Sequence, residues 1–309
     1  MGRIEIDTLD DPRLDVYRDI KDSQMRRREG LFVVEGRFTL RCLIEDSPFD
    51  PVSVLTSPPA RLALQDVLDE LDSATPIYEV PNTVLRDLSG FHLHRGCLAL
   101  GRRPDDFNLE DLLARAIRPS GESLLVVLEG LTNHDNVGGV FRNAMALGAD
   151  GVVVCPRCCD PLYRKAIRTS LGAALCVPFA RLPEWPAGLH RLKAEGYTLV
   201  ALDPSGESIA SAARRGLPRR SALIFGTEGA GLSKEALDLV DLRLKIGMAA
   251  GVDSLNVATA SGIALHHFRE ALVDEALVDE GLVDEALVDD ALVDEALVDE
   301  ALVHEAPGQ

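Results

Sequence analysis

Residues 246–258 read IGMAAGVDSLNVA, and they join a predicted strand over 242–246 to a predicted helix over about 255–268. Gly247 and Gly251 permit backbone conformations that other residues avoid. The turn also leaves backbone N–H groups free at the start of a helix, where the acceptors of a ligand can bind. Ser254 is placed to cap this helix, whereas Asn256 has no evident capping role. The stretch therefore predicts a ligand site built from a strand, a loop and a helix.

The helix after this stretch is rich in small residues, and Gly262 lies in its interior. Glycine inside a helix costs about 1 kcal/mol relative to alanine. We therefore expect another segment to pack very close to Gly262.

Short apolar strands alternate with helices over residues 121–270. The strand over 124–128 is apolar throughout, as in a parallel sheet covered on both faces. Further strands are predicted over 151–154, 175–179, 198–202, 223–225 and 242–246. Ligands of such sheets bind beyond the carboxyl ends of the strands.

Two more loops at predicted strand ends have unusual residues. Residues 130–139 read GLTNHDNVGG, and Asn136 in this loop could simply cap the next helix, predicted over 137–147. Residues 225–233 read FGTEGAGLS. Their glycines could hold a ligand through backbone N–H groups, or they could form an ordinary turn into a helix capped by Ser233. Neither a Walker loop nor a G-x-G-x-x-G after the first strand is present.

In this order and spacing, the three loops resemble the SpoU/TrmH family of the SPOUT superfamily, which are RNA 2′-O-ribose methyltransferases that use S-adenosyl-L-methionine. The similar stretches are 136–148, 225–232 and 246–256 with the helix that follows, and the block 164–173 is also similar. The family usually has Pro where Gly247 stands.

The resemblance implies an α/β fold in which a C-terminal parallel sheet of the SPOUT type contains a deep trefoil knot. It also implies a homodimer and a cofactor, S-adenosyl-L-methionine, bound in the knot. The implied cofactor contacts are Gly226, Glu228, Gly229, Ile246, Met248, Ser254 and Leu255. The implied catalytic residues are Asn136, Arg142, Glu228, Ser254 and Asn256.

The ribose methylation that the resemblance implies limits the role that Arg142 can have. A ribose hydroxyl is a poor nucleophile that needs a base or an electrostatic partner, and a free Arg is always protonated. We therefore expect Arg142 to bind the RNA phosphate beside the target ribose. Asn136 would orient Arg142 or the ribose.

Residues 1–103 predict a smaller α/β domain, with a charged helix over 1–29 and four strands after it. Residues 32–36, FVVEG, are similar to the start of the ribosomal-protein-like domain that binds substrate RNA in many family members. We predict a polar linker over residues 104–120 and the methyltransferase domain over residues 121–270.

The net charge of −18 is misleading, because residues 271–305 hold thirteen Asp and Glu and no Lys or Arg. The rest has 37 acidic and 32 basic residues, and its Arg clusters leave an anionic partner such as rRNA or tRNA open. From residue 271 the pentapeptide Ala-Leu-Val-Asp-Glu recurs seven times with small changes. A period of five builds no apolar stripe on a helix, so we predict a solvated, acidic low-complexity tail over 271–309 without a catalytic role, and binding of a partner is the alternative.

Six scattered cysteines and a polar, acidic start predict a cytoplasmic protein, and no apolar run is long enough to cross a membrane. Cys155, Cys158 and Cys159 form C-x-x-C-C without a second pair. We expect reduced, partly buried cysteines and no metal, and a metal or redox role is the alternative.

Two other functions stay open on the sequence. One is a catalytically weak or inactive RNA-binding scaffold of the same fold, for which Gly247 is the hint. The other is a different nucleotide-binding α/β enzyme, which the missing phosphate fingerprints disfavour. The sequence does not distinguish rRNA from tRNA as the substrate.

Overall fold

The computed structural model describes residues 3–17, 30–89, 96–103, 108–252 and 254–279. The smaller sheet has the order β1-β4-β3-β5-β2, in which β5 is antiparallel to β2 and β3 and the other neighbours are parallel. Its strands are β1 (Arg3–Glu5), β2 (Leu31–Glu35), β3 (Pro51–Thr56), β4 (Ile77–Glu79) and β5 (Cys97–Arg102). Its helices are α1 (Arg37–Arg41), α2 (Pro58–Ala63), α3 (Gln65–Leu68) and α4 (Asn82–Ser89), with a 3₁₀ helix over Pro12–Tyr17 and a π-helical turn over Cys42–Asp46.

The helix predicted over 1–29 is wrong in its described part. Arg3–Glu5 forms an edge strand that pairs in parallel with Ile77–Glu79. Isoleucines at positions 4 and 6 alternate with charged residues, which is the period of a strand, and Ile6 is buried. A 3₁₀ helix then starts at Pro12. Residues 18–29, with the Arg cluster at 26–28, lie outside the described residues.

The larger sheet has the order β11-β9-β10-β6-β7-β8, and all neighbouring strands are parallel. Its strands are β6 (Ser123–Leu128), β7 (Gly151–Val154), β8 (Phe179–Arg181), β9 (Thr198–Ser208), β10 (Arg220–Phe225) and β11 (Leu242–Lys245). From β6 the chain adds β7 and β8 on one side and then crosses to the other side. Such a reversal opens a crevice at the carboxyl ends of the strands. The predicted parallel α/β sheet is confirmed.

The larger sheet is covered on both faces. Leu124, Val126 and Leu128 pack into one core, while Leu125 and Val127 pack into the other. The helices of this domain are α5 (Leu109–Ala116), α6 (His134–Ala146), α7 (Arg164–Thr169), α8 (Ala173–Cys176), α9 (Leu189–Ala194), α10 (Ile209–Arg214), α11 (Lys234–Leu237) and α12 (Val257–Asp279). The apolar run of β6 is thus explained by burial from both sides.

Two predicted boundaries differ from the structure. The strand predicted over 175–179 starts only at Phe179, because Gly172 is in the left-handed conformation at φ 85° and opens the short helix α8 instead. The linker predicted over 104–120 contains α5. Its apolar residues recur at helical spacing and are buried against the larger sheet, so its described part is a packed helix: Leu109, Leu112, Leu113 and Ala116.

The two domains are in contact. Buried residues of the smaller domain, such as Phe32 and Leu40, belong to the same core cluster as Leu124. Glu35, in the FVVEG stretch, accepts a hydrogen bond from Arg164 at 2.7 Å across the boundary. The similarity seen in block 164–173 therefore includes a residue that joins the domains.

Helix α12 runs nine residues past residue 270, where the acidic tail was predicted to begin. Leu272 is only 5% exposed and packs into the core. Residues 280–309 lie outside the described residues. Among the described residues, no helix combines the length and the apolar character needed to cross a membrane.

Two truncations are expected to behave differently. Ending the chain after Asp279 should leave the melting temperature unchanged. Ending it after Glu270 removes Leu272 from the core and should cost at least about 2 kcal/mol of stability, which is a drop of several degrees in a domain of this size. Thermal unfolding followed by circular dichroism compares the two. Equal melting temperatures would mean that the first turns of the tail contribute nothing to the core.

Candidate active site

A cavity of about 280 Å³ lies between β9, the ends of β10 and β11, and the start of α12. Pockets at strand ends of open parallel sheets are the usual ligand sites of this architecture. All seven residues predicted as cofactor contacts line it: Gly226, Glu228, Gly229, Ile246, Met248, Ser254 and Leu255. Two of the three unusual loops therefore form its wall.

Loop 225–233 forms one wall because its backbone folds tightly on itself. Thr227 and Gly231 exchange two backbone hydrogen bonds of 3.0 Å. A Cβ atom on Gly226 would lie 2.3 Å from the backbone carbon and oxygen of Gly231, so this position requires glycine. As predicted, Ser233 caps the next helix, and its Oγ accepts from the N–H of Ala236 at 3.3 Å. The loop presents backbone rather than bulky side chains to the cavity.

Loop 246–256 forms the opposite wall, and its capping residue differs from the prediction. Helix α12 begins at Val257. The Asn256 side-chain oxygen accepts from the N–H groups of Ala258 at 2.9 Å and Thr259 at 3.3 Å. Asn256 is therefore the cap, because the helix starts later than expected. Ser254 makes no capping bond to a described residue and lines the cavity instead.

The Asn136 side chain joins all three loops. Helix α6 begins at His134 and is capped by Asn133, so Asn136 does not take the capping role that the sequence left open for it. Asn136 is buried in the first turn and donates to Glu228 Oε1 at 2.6 Å. Asn256 donates to Asn136 Oδ1 at 2.9 Å and to Glu228 Oε1 at 3.2 Å. The three side chains form a closed triangle, which we call the amide–carboxylate triangle.

Replacing Asn136 with Ala is expected to weaken binding of S-adenosyl-L-methionine, the ligand that the resemblance implies for this cavity, about tenfold. The change removes a hydrogen bond to a carboxylate, worth about 1.5 kcal/mol or more, and a factor of ten corresponds to about 1.4 kcal/mol. Titration calorimetry on folded protein measures the affinity. An unchanged affinity would show that the triangle holds no loop in place. Thr259→Ala, an exposed change one turn into α12, is the control.

Arg142 is not part of the amide–carboxylate triangle. Its side chain is exposed on α6, does not line the cavity, and has no hydrogen bond or ion pair within the described chain. The neighbouring Asn143 donates to Ser261 Oγ at 3.0 Å, and it lies 3.3 Å from the position of a Cβ on Gly262. The expected close packing at Gly262 is confirmed. Helix α6 thus holds Arg142 in solvent while its adjacent face is fixed against α12.

Glu129 supports two of the loops and is not among the residues that the sequence predicts. Its carboxylate is 1% exposed and accepts from Trp185 Nε1 at 2.7 Å and from the backbone N–H of Ser233 at 2.9 Å. Asp203 and Lys245 also line the cavity and were not predicted. Glu129 directly follows an apolar strand, which is the one signal that could have drawn attention to it. Asp203 belongs to the extended strand β9, which no motif marked.

The cysteines of the C-x-x-C-C stretch are free thiols and do not line the cavity. Cys155 Sγ lies 3.7 Å from Cys158 Sγ and accepts from the N–H of Gly130 at 3.1 Å. The hydrogen bond with the Cys158 thiol, together with backbone N–H donors such as that of Gly130, lowers the pKa of Cys155 to about 6. Burial raises the pKa of Cys159 to about 12. The hydrogen bond from Gly130 to Cys155 therefore holds the start of loop 130–139 against this group of cysteines.

Known proteins are similar to this chain both in sequence and in fold. The sequence model of the SpoU rRNA Methylase family matches residues 123–266. An uncharacterized tRNA/rRNA methyltransferase of Mycobacterium bovis is 38% identical over 267 residues, covering 83% of this chain and 88% of that protein. The AdoMet-bound rRNA methyltransferase of Sinorhizobium meliloti has a TM-score of 0.74 at 21% identity and covers 87% of this chain and 98% of its own. The SpoU methyltransferase AviRb of Streptomyces viridochromogenes, in complex with AdoMet, has a TM-score of 0.73 at 23% identity, with 85% and 100% covered.

Proposed function

Because the chain belongs to the SpoU rRNA Methylase family of RNA methyltransferases, we propose that it transfers a methyl group from S-adenosyl-L-methionine to a ribose 2′-hydroxyl of rRNA or tRNA. One observation carries this proposal. Three loops that are far apart in sequence meet beside one cavity, and the amide–carboxylate triangle joins them. We expect the protein to act in the cytoplasm, where free thiols such as its six cysteines persist.

The cavity residues fit S-adenosyl-L-methionine. Ile246, Met248 and Leu255 offer apolar surface for a flat base, and loop 225–233 offers backbone groups to polar edges. Asp203 and Glu228 both line the cavity, and their carboxylates suit the positively charged part of such a ligand. When bound, the cofactor supplies an activated methyl group on a sulfonium, so the protein mainly positions the reactants.

Arg142 acts on the RNA side of the reaction, whereas the other predicted catalytic residues shape the cavity. The Arg142 guanidinium, which is always protonated, binds the phosphate beside the target ribose. As the hydroxyl oxygen takes the methyl group, its proton passes to the adjacent RNA phosphate and from there to water, and the charge of Arg142 stabilises the oxyanion character that develops. Glu228, Asn136 and Asn256 keep the loops in register, and Ser254 contributes a hydroxyl at the cavity wall.

We propose that the chain beyond β10 is threaded as a trefoil knot. Strand β10 is inserted between β6 and β9, and α12 packs back on α6. A Cβ atom on Gly139 would lie 2.7 Å from Ala258 Cβ, so the two helices approach very closely. The smaller domain is proposed to bind the substrate RNA. Its buried contacts with the larger domain keep it near the cavity.

We also propose a homodimer, as the family resemblance implies. Sedimentation at a monomer mass over the working concentration range would end this part of the proposal.

The test of the function is methyl transfer from radiolabelled S-adenosyl-L-methionine to size-fractionated RNA. The labelled RNA is digested to nucleosides, and mass spectrometry identifies 2′-O-methylribose. Label in the rRNA or the tRNA fraction identifies the substrate class. A methylated base in place of the ribose would refute the 2′-hydroxyl. RNA binding without cofactor binding in titration calorimetry would favour the scaffold.

A further inference from the structure

Three side chains that can bind a metal meet at the boundary of the two domains, away from the cavity. Cys42 and Asp46 belong to the π-helical turn of the smaller domain, and Cys176 ends α8 in the larger domain. Their two Sγ atoms and a carboxylate oxygen all lie within 4.8 Å of one another. Ligands of one zinc ion need such a separation, because Zn–S and Zn–O bonds are about 2.3 and 2.1 Å long. The sequence gives no hint of this group, since its halves are far apart in the chain.

The local backbone brings the two thiols together. Gly172 has φ 85°, and a Cβ atom there would lie 2.7 Å from Cys42 Sγ, so a glycine makes room for the thiol. Leu171, just before it, is a non-glycine residue in the left-handed region at φ 51°. Such strained positions persist where the surroundings impose them, and they cluster at functional sites. π-Helical turns such as Cys42–Asp46 are likewise frequent at functional sites.

Charge argues for a cation rather than for packing alone. The Asp46 side chain is exposed and makes no hydrogen bond or ion pair with any described residue. The nearby Glu45 is paired with Arg41 at 3.2 Å, whereas no basic side chain of the described chain pairs with Asp46. Both sulfur atoms donate weakly to backbone carbonyls as thiols, Cys42 to Leu171 at 3.8 Å and Cys176 to Gly172 at 3.6 Å. If they lose their protons, two thiolates beside a carboxylate need a cation as counter-charge. A mixed sulfur and oxygen set of this kind suits Zn²⁺.

We propose that Cys42, Asp46 and Cys176 bind a zinc ion, with water as the fourth ligand, and that this ion fastens the smaller domain to the larger one. The sequence predicts no metal, because its C-x-x-C-C stretch has no second pair at a suitable spacing, and this group lies elsewhere. A zinc ion here would fix the angle between the smaller domain and the cavity. The inference does not depend on the proposed function.

The test uses the full chain, purified without chelator and dialysed against zinc. Metal analysis is expected to give one zinc per chain, lost in Cys42→Ser and in Cys176→Ser. Asp46→Asn is expected to bind zinc at least about tenfold more weakly. Cys159→Ser is the matched control, because Cys159 is half-buried like Cys176 but lies outside the group. The double change Cys155→Ser and Cys158→Ser should also keep the ion.

A second measurement needs no variant. Cobalt(II) bound in place of zinc is expected to give the charge-transfer absorption of two coordinated thiolates. A chain that binds no zinc, zinc that survives in both single cysteine variants, or an Asp46→Asn affinity equal to that of the unmodified chain would each overturn the assignment. So would a Cys42–Cys176 disulfide found by peptide mass spectrometry in protein handled without oxidant.

Discussion

Replacing Arg142 with Ala is expected to lower methyl transfer at saturating RNA about 100-fold or more and to leave cofactor binding unchanged. Removing one preorganised charge from a site of transition-state stabilisation typically costs about 10²- to 10³-fold in rate. Arg142 is exposed, has no partner within the described chain and does not line the cavity. Its loss should therefore change neither stability nor the cofactor site.

Single-turnover methyl transfer with excess RNA measures this effect without confusion from weak RNA binding. Arg142→Lys should keep part of the activity, since it retains the charge but loses the two-pronged contact with phosphate. Arg115→Ala is the matched control, because Arg115 is also an exposed helical arginine without a partner among the described residues. A near-normal rate for Arg142→Ala at saturating RNA would remove Arg142 from the mechanism.

The parts of the fold that could be predicted are those that local pattern determines. The apolar run at 124–128 predicts β6, and burial on both faces of the sheet explains it. By contrast, Arg3–Glu5 becomes a strand only because it pairs with residues more than 70 positions later, and three residues carry too little pattern to reveal that. The Asn133 and Asn256 caps depend on the first residue of each helix, which sequence determines poorly.

The candidate site likewise contains some residues that could be predicted from the sequence and others that could not. Its loops could be predicted because a resemblance supplied residues such as Gly226 and Ile246, which line the cavity. Glu129 and Asp203 could not, because their roles arise when neighbouring parallel strands bring separate loops together. Cys42 and Cys176 illustrate the limit: a pair that spans two domains has no spacing that a sequence motif could record.

Gly226→Ala is expected to weaken S-adenosyl-L-methionine binding about 100-fold or more. The added Cβ would meet the Gly231 backbone carbon and oxygen at 2.3 Å and the Leu232 nitrogen at 2.5 Å. No flexible side chain can yield there, so the backbone of loop 225–233 must shift, at a cost of up to about 3 kcal/mol. That shift displaces Gly229 and Glu228 from the cavity wall.

Gly247→Ala is the matched control in the opposite wall. A Cβ atom on Gly247 would meet nothing within 4 Å, so binding should stay the same or tighten by a few fold, because the loop loses less conformational freedom on ordering. Titration calorimetry with S-adenosyl-L-methionine compares both variants. Equal affinity in Gly226→Ala and the unmodified chain would mean that the cofactor binds elsewhere. We expect Gly226→Ala to lose both methyl transfer and cofactor binding, and Arg142→Ala to lose methyl transfer alone. This difference would assign Gly226 to the cofactor side of the reaction and Arg142 to its RNA side.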